Sequence, residues 1–233
     1  MVLNYKVFHS NRNSATRDAP SGHGHVQWVP TTSTLIYGNK EAMLVDTQLT
    51  KDAVAGLVKW VIESGKILIY IYMTHSHGDH YFGNGALLKQ FPNAKVVSTP
   101  EVVAGMAAEI APERMEAIWY KLFPGQIPED MTAAATALKE DQFDIEGEKI
   151  QPQAVVGGHQ DPQKGFAPEA IEETKTYLQH FNQHDVEIAL IEELYRKMLE
   201  LHPTRLNPGS AGAGANASKN PNSIRALMAA KKK

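Results

Sequence analysis

The apolar positions of the chain change period several times, and each change marks a predicted element. Over 5–9, 25–29, 33–37 and 42–46, β-branched and aromatic residues gather in short runs, with Pro20-Ser21-Gly22, Pro30 and Gly38-Asn39 between them. Such runs between turn residues read as strands. Over 51–64, Val54, Leu57, Val58 and Val61 share one helical face, and Gly65 follows as a stop signal. Residues 67–73 are almost continuously apolar, as in a strand buried on both faces. A polar loop begins at Thr74. The pattern then predicts a short helix over 85–91 and a second buried strand over 94–98. Helical periodicity returns over 100–123, broken near Pro112, with Val103, Met106, Ile110, Met115, Ile118 and Leu122 as packing positions. Further on, 143–150 and 154–157 read as strands, and 169–181 and 185–201 as amphipathic helices. Strands interleaved with helices predict an α/β layered fold, with ligand sites in loops at the carboxyl ends of buried strands. From Asn207 onward Gly, Ala, Ser and Asn dominate and three lysines close the chain. Residues 207–233 therefore read as a disordered tail behind one domain over 1–206.

Composition narrows the chemistry. The chain has 233 residues, 42% hydrophobic and 21% charged, enough for a sizeable core. A net charge of −3 argues against nucleic acid or an anionic membrane surface as the main partner. No apolar run approaches the ~18 residues of a membrane span, and the first residues lack the apolar core of a secretory signal. The expectation is a soluble, cytoplasmic protein acting on a small molecule. Cysteine is absent, which removes disulfides, thiolate metal sites and a cysteine nucleophile together. Any metal must be held by imidazole and carboxylate, a donor set suited to zinc, iron or manganese.

The loop His75-Ser76-His77-Gly78-Asp79-His80 supplies that donor set. On an extended segment residues two apart point the same way, so His75 and His77 can converge on one ion. Gly78 tolerates φ > 0 and is expected to turn the chain sharply, carrying Asp79 and His80 to a second position. Four ligand-type residues in six, directly after a buried strand, point to metal binding.

Thr74-His75-Ser76-His77-Gly78-Asp79-His80 resembles the HxHxDH motif of the metallo-β-lactamase superfamily. The stretch ending Leu44-Val45-Asp46-Thr47 is similar to that family's strand pair with its acidic residue near the metal. Val155-Val156-Gly157-Gly158-His159 looks like the later strand and loop that supply another histidine. The resemblance implies an αββα sandwich. It assigns His75 and His77 to a first metal and Asp79, His80 and His159 to a second, with zinc the expected ion and iron or manganese as alternatives. It makes Asp46 a carboxylate that orients the ligands. The implied activity is metal-dependent hydrolysis, with activated water attacking an ester, thioester, lactone or amide-type bond, and with Asp79 also orienting the nucleophile.

The chain departs from the family pattern between its two motifs. The family carries a further histidine for the first metal and a Gly-Asp pair whose aspartate bridges both ions; neither occurs between His80 and His159. The sequence reads as if a segment with part of the second half-sheet were missing near Ile150 and Gln151. The consequence is at most one tightly bound metal, at the second position, because the first keeps only two donors. Exposed strand edges would follow, and with them low stability or a homodimer. Two further readings stand beside the hydrolase: a metal-binding or interaction protein with impaired catalysis, and a truncated form of an active enzyme. Asp141, Asp144, Glu146 and Glu148 read as a solvated strand edge with turn residues, His180 and His184 as an exposed helical face, and His23 and His25 as a plain loop.

Overall fold

A computed structural model describes residues 2–10, 29–132, 134–138, 144–150, 158–159, 169–204 and 208–220. The expected strand over 154–157, the junction at Gln151, and His23 and His25 lie outside the described residues.

Two antiparallel strands open the sheet, β1 (Asn4–His9) and β2 (Thr32–Tyr37), and β3 (Glu41–Val45) pairs antiparallel to β2. Helix α1 (Lys51–Glu63) crosses over to β4 (Ile67–Tyr72), which runs parallel to β3. Two short helices, α2 (Gly78–Tyr81) and α3 (Asn84–Gln90), lead to β5 (Lys95–Ser98), parallel to β4. The next crossover is α4 (Pro100–Glu109), α5 (Pro112–Arg114), a π-helical turn over Met115–Trp119 and α6 (Tyr120–Leu122). It ends in β6 (Thr136–Ala137), and the six strands lie in the order β1-β2-β3-β4-β5-β6.

These elements follow the expected periods. Val54, Leu57 and Val61 are the buried stripe of α1, and Gly65 ends it at φ +67. Pro112 opens α5, where the break was expected. Thr99 caps α4 by accepting from Val102 N–H, with Pro100 in the first turn. The core between sheet and helices includes Leu35, Leu44, Leu57, Ile71, Met73, Phe82 and Met106. Burying each such side chain contributes about 1.5–3 kcal/mol. Because β3, β4 and β5 are parallel, their carboxyl ends share one edge of the sheet, and Asp46, Met73 and Ser98 stand there. The Ser98 hydroxyl closes that edge by donating to Met73 O at 2.6 Å.

Three expectations are corrected. The single strand over 143–150 is a hairpin, β7 (Asp144–Ile145) with β8 (Glu148–Lys149). Asp144 Oδ1 accepts from Gly147 N–H at 2.6 Å, and Glu146 and Gly147 take φ of 53° and 83°, so the local turn wins over strand propensity. Glu146 is a turn residue of this edge, and it also binds a neighbouring turn. Its carboxylate accepts from the backbone N–H groups of Asn39, Lys40 and Glu41, while Lys66 donates to the carbonyls of Gly38 and Asn39, so the β2–β3 turn is held from both sides.

The second correction moves a helix boundary: α7 runs over Glu169–Glu187 and α8 over Ile191–Leu201. Leu190 is extended between them, and Ile188 and Leu194 join one apolar cluster with Tyr195 and Met198. Third, Pro208–Lys219 is a helix, α9, inside the stretch expected to be disordered. Ala211 and Ala215 are buried against α8, and Lys219 Nζ lies 2.9 Å from Asp185 Oδ1. No helix of the described residues is long and apolar enough to cross a membrane.

Candidate metal centre

Asp46 ends β3 and organises the site. Its N–H donates to Tyr72 O at 2.9 Å, and the backbone turns at φ +59, a conformation Asp tolerates better than most side chains. The turn leaves the carboxylate buried and pointed at the loop after β4. There it accepts from Thr74 N–H (2.9 Å) and the Thr74 hydroxyl (2.8 Å), and lies 2.8 Å from His80 Nδ1. A carboxylate has no proton to give, so His80 Nδ1–H is the donor, and in the neutral ring Nε2 carries the lone pair. The same reasoning fixes His75. The Thr74 hydroxyl spends its proton on Asp46, so its oxygen accepts from His75 Nδ1–H at 3.0 Å.

The loop switches period within itself. His77 is extended at ψ 141 and caps the single turn of α2, which carries Asp79 and His80 inward. Gly78 is required, but not for the expected reason. It sits in a helical conformation, and a Cβ there would fall 2.2 Å from Phe82 Cζ. Its role is to make room for that ring.

The donor atoms of Asp79, His80 and His159 all lie within 4.8 Å of one another. His159 Nε2 is 3.2 Å from Asp79 Oδ2 and 3.3 Å from His80 Nε2, and the third side, Asp79 Oδ2 to His80 Nε2, is 3.7 Å. Tetrahedral donors about 2.1 Å from one ion stand about 3.4 Å apart, so this triangle has the size of one metal's ligand set. His159 arrives from a distant part of the chain. The segment is tied to the sheet by Thr32 N–H donating to Gly158 O at 2.9 Å. His75 packs its ring 4.0 Å from that of His80, and His77 lies 4.9 Å from His75. Among the described residues no group of three donors includes His75 or His77.

The electrostatics suit a metal. Burial alone would raise the Asp79 pKa, but the hydrogen bond from His159 and the nearby imidazoles outweigh it and bring it down to about 2. Burial, followed by the charges of His80 and His77, lowers His75 to about 4. His80 moves the other way: burial opposes its charge, yet the bond to Asp46 and the charge of Asp79 raise its pKa.

Thr74 and Gly158 were not singled out by sequence reasoning. Thr74 adjoins the histidine loop, which is the only hint its position gives; its bonds to Asp46 depend on two strand ends meeting. Elsewhere, His180 and His184 do not share a site. His180 Nδ1 meets His202 Nε2 at 3.2 Å, and His184 Nδ1 meets Glu187 at 2.9 Å.

A family model described as the metallo-beta-lactamase superfamily matches residues 26–163, more than half of the 233. Uncharacterized protein YobT of Bacillus subtilis (strain 168) is 35% identical over 68 residues, 29% of either chain. Among solved structures, BLEG-1 B3 metallo-beta-lactamase is 18% identical with a TM-score of 0.38, over 51% of this chain and 53% of that one. Rm3 metallo-beta-lactamase is 21% identical with a TM-score of 0.39, over 53% of this chain and 45% of that one. The chain thus spans about half the length of these solved structures and 29% of the curated relative.

Proposed function

The chain belongs to the metallo-beta-lactamase superfamily, a family of metal-dependent hydrolases, and from that premise we propose that it holds one zinc ion on Asp79, His80 and His159. The observation that carries this reading is the donor triangle with sides of 3.2, 3.3 and 3.7 Å. Two of the donors are prepared by their surroundings. Asp79 is ionised well below neutral pH, and neutral His80 presents Nε2 because its Nδ1–H donates to Asp46. When bound, the ion supplies Lewis acidity, which activates water and stabilises negative charge on a carbonyl oxygen.

The protein's own residues do the rest. Asp79 keeps a second carboxylate oxygen that can accept a hydrogen bond from the attacking water and aim it. Asp46 holds the rings of His80 and, through Thr74, of His75, so neither reorganises during a reaction. His75 stays neutral at physiological pH and can accept a hydrogen bond at Nε2. The substrates proposed are esters, thioesters, lactones or amide-type bonds.

Metal analysis after equilibration with zinc tests the reading. One equivalent per chain is expected, falling steeply in His159→Ala; two full equivalents would overturn the single-ion site. Turnover of a lactone, thioester and β-lactam panel then decides whether the site is catalytic. A second reading, a metal-binding protein without turnover, is favoured by His75 and His77 having no third donor among the described residues. It predicts the same zinc content with no zinc-dependent hydrolysis.

A further inference from the structure

Gly158 stands directly before His159 and against the Cε1 edge of the His80 ring. A Cβ added to it would lie 2.9 Å from His80 Cε1. Carbon atoms in good contact stand about 3.5–4.0 Å apart, so something would have to move. The His80 ring is fully buried and anchored to Asp46 at 2.8 Å, and Asp46 is itself bonded to Thr74. His159, in contrast, is exposed. Segment 158–159 is tied to β2 by the bond from Thr32 N–H to Gly158 O, whereas the His80 ring is enclosed and anchored by its own side chain. The ring is therefore the fixed partner, and the segment is the one that yields. The backbone of Gly158 does not occupy the left-handed region, so alanine fits its conformation. The demand at this position is for space alone.

We propose that Gly158 is a positioning residue: its missing side chain sets the 3.3 Å spacing between His80 Nε2 and His159 Nε2. A methyl group there would press the segment away from His80 and displace the His159 imidazole from its place in the donor triangle. The third donor is then held at the wrong spacing rather than removed. This inference rests on the reading of Asp79, His80 and His159 as zinc ligands.

The test is a zinc affinity measured by competition with a chromophoric chelator on four proteins: the unaltered chain, Gly158→Ala, His159→Ala and the double variant. Gly56→Ala serves as control, because its added Cβ would meet Phe8 at an ordinary 3.4 Å. We expect Gly158→Ala to weaken zinc binding by about 10–100-fold, the range seen when the surroundings of a ligand are disturbed. Gly56→Ala should leave affinity unchanged, and the double variant should bind no more weakly than His159→Ala. Melting of the metal-free proteins and the visible spectrum of the cobalt(II)-loaded forms separate positioning from general damage. Positioning predicts unchanged melting and a spectrum that moves towards that of His159→Ala. Affinity within twofold of the unaltered chain would overturn the proposal. So would a full additional loss in the His159→Ala background, or lowered metal-free melting with affinity unchanged. If His159→Ala itself binds zinc normally, the ligand reading fails first, and the proposal with it.

Discussion

Two places in this chain bring a pair of imidazole nitrogens to nearly the same distance. His80 and His159 meet at 3.3 Å, and His180 and His202 at 3.2 Å. Distance alone would rank them as equals. Their surroundings differ. The first pair has Asp79 as a third donor and Asp46 on the far nitrogen of His80. The second joins α7 to the end of α8, with the ring of Tyr177 edge-on to His202, and no third donor joins it among the described residues. A metal site needs a closed donor set and a fixed tautomer as well as close histidines. An N–H···N hydrogen bond accounts for the second pair.

The largest effect should come from exchanging these pairs in an experiment. His80→Ala removes a donor and takes from the buried Asp46 carboxylate its imidazole partner, so zinc affinity should fall on the order of 1000-fold or more, beyond the ~10–100-fold of outer partners. His180→Ala should leave zinc content at one equivalent and cost only the ~0.5–1.5 kcal/mol of a hydrogen bond, read as a lowered melting temperature. Zinc loss in His180→Ala would erase the distinction between the two pairs.

Much of the first pair was legible in the sequence and little of the second. Four ligand-type residues in six after an apolar strand announce the loop, because strand period and donor chemistry are both local properties. Asp46 was legible as a strand-end carboxylate near that loop. Thr74 was not, since its bonds to Asp46 arise only where β3 and β4 lie side by side. Gly78 was identified for its φ, yet its use is contact with Phe82, a neighbour that period alone does not reveal. Glu146 was legible as a turn residue of a solvated edge, but its bonds to 39–41 show only when the β2–β3 turn is brought against it. The helix α9 was hidden by its own composition. Gly and Ala signal disorder in isolation, but small residues are what let two helices approach, and Ala211 and Ala215 are buried against α8.

The next effect in size tests whether the carboxylate beneath His80 accounts for the difference. Asp46→Asn keeps the volume, but its carboxamide is a weaker acceptor for His80 Nδ1–H and Thr74 together. The preferred tautomer of His80 is loosened, and zinc affinity should drop about 10–100-fold with the stoichiometry unchanged. The competition assay used for Gly158 reads this directly. Unaltered affinity would mean that the donor triangle stands without Asp46, and that the two histidine pairs differ only in Asp79.

The smallest effect is a slope. In the metal-free protein, Asp46 and Asp79 raise the pKa of His80 above its ordinary 6.5. A group with a raised folded pKa contributes stability that is fully present below the unfolded value and lost as pH rises through the folded value. Metal-free stability should therefore decline with pH in the window just above 6.5, and Asp46→Asn should flatten the decline. Zinc reverses the sign, because a bound ligand must give up any proton it carries at the binding nitrogen. Below the folded pKa of His80, affinity should fall about tenfold per pH unit for each proton displaced. The unprotonated state is retained at Asp79 and His75, with pKa values of about 2 and 4, so neither contributes to this slope near neutrality. Melting curves with and without zinc across pH 6 to 8, a range chosen around the ~6.5 reference for histidine, should tilt in opposite directions. Parallel curves would show that the proton on His80 and the zinc ion do not compete, and that the resemblance between the two histidine pairs runs deeper than their geometry suggests.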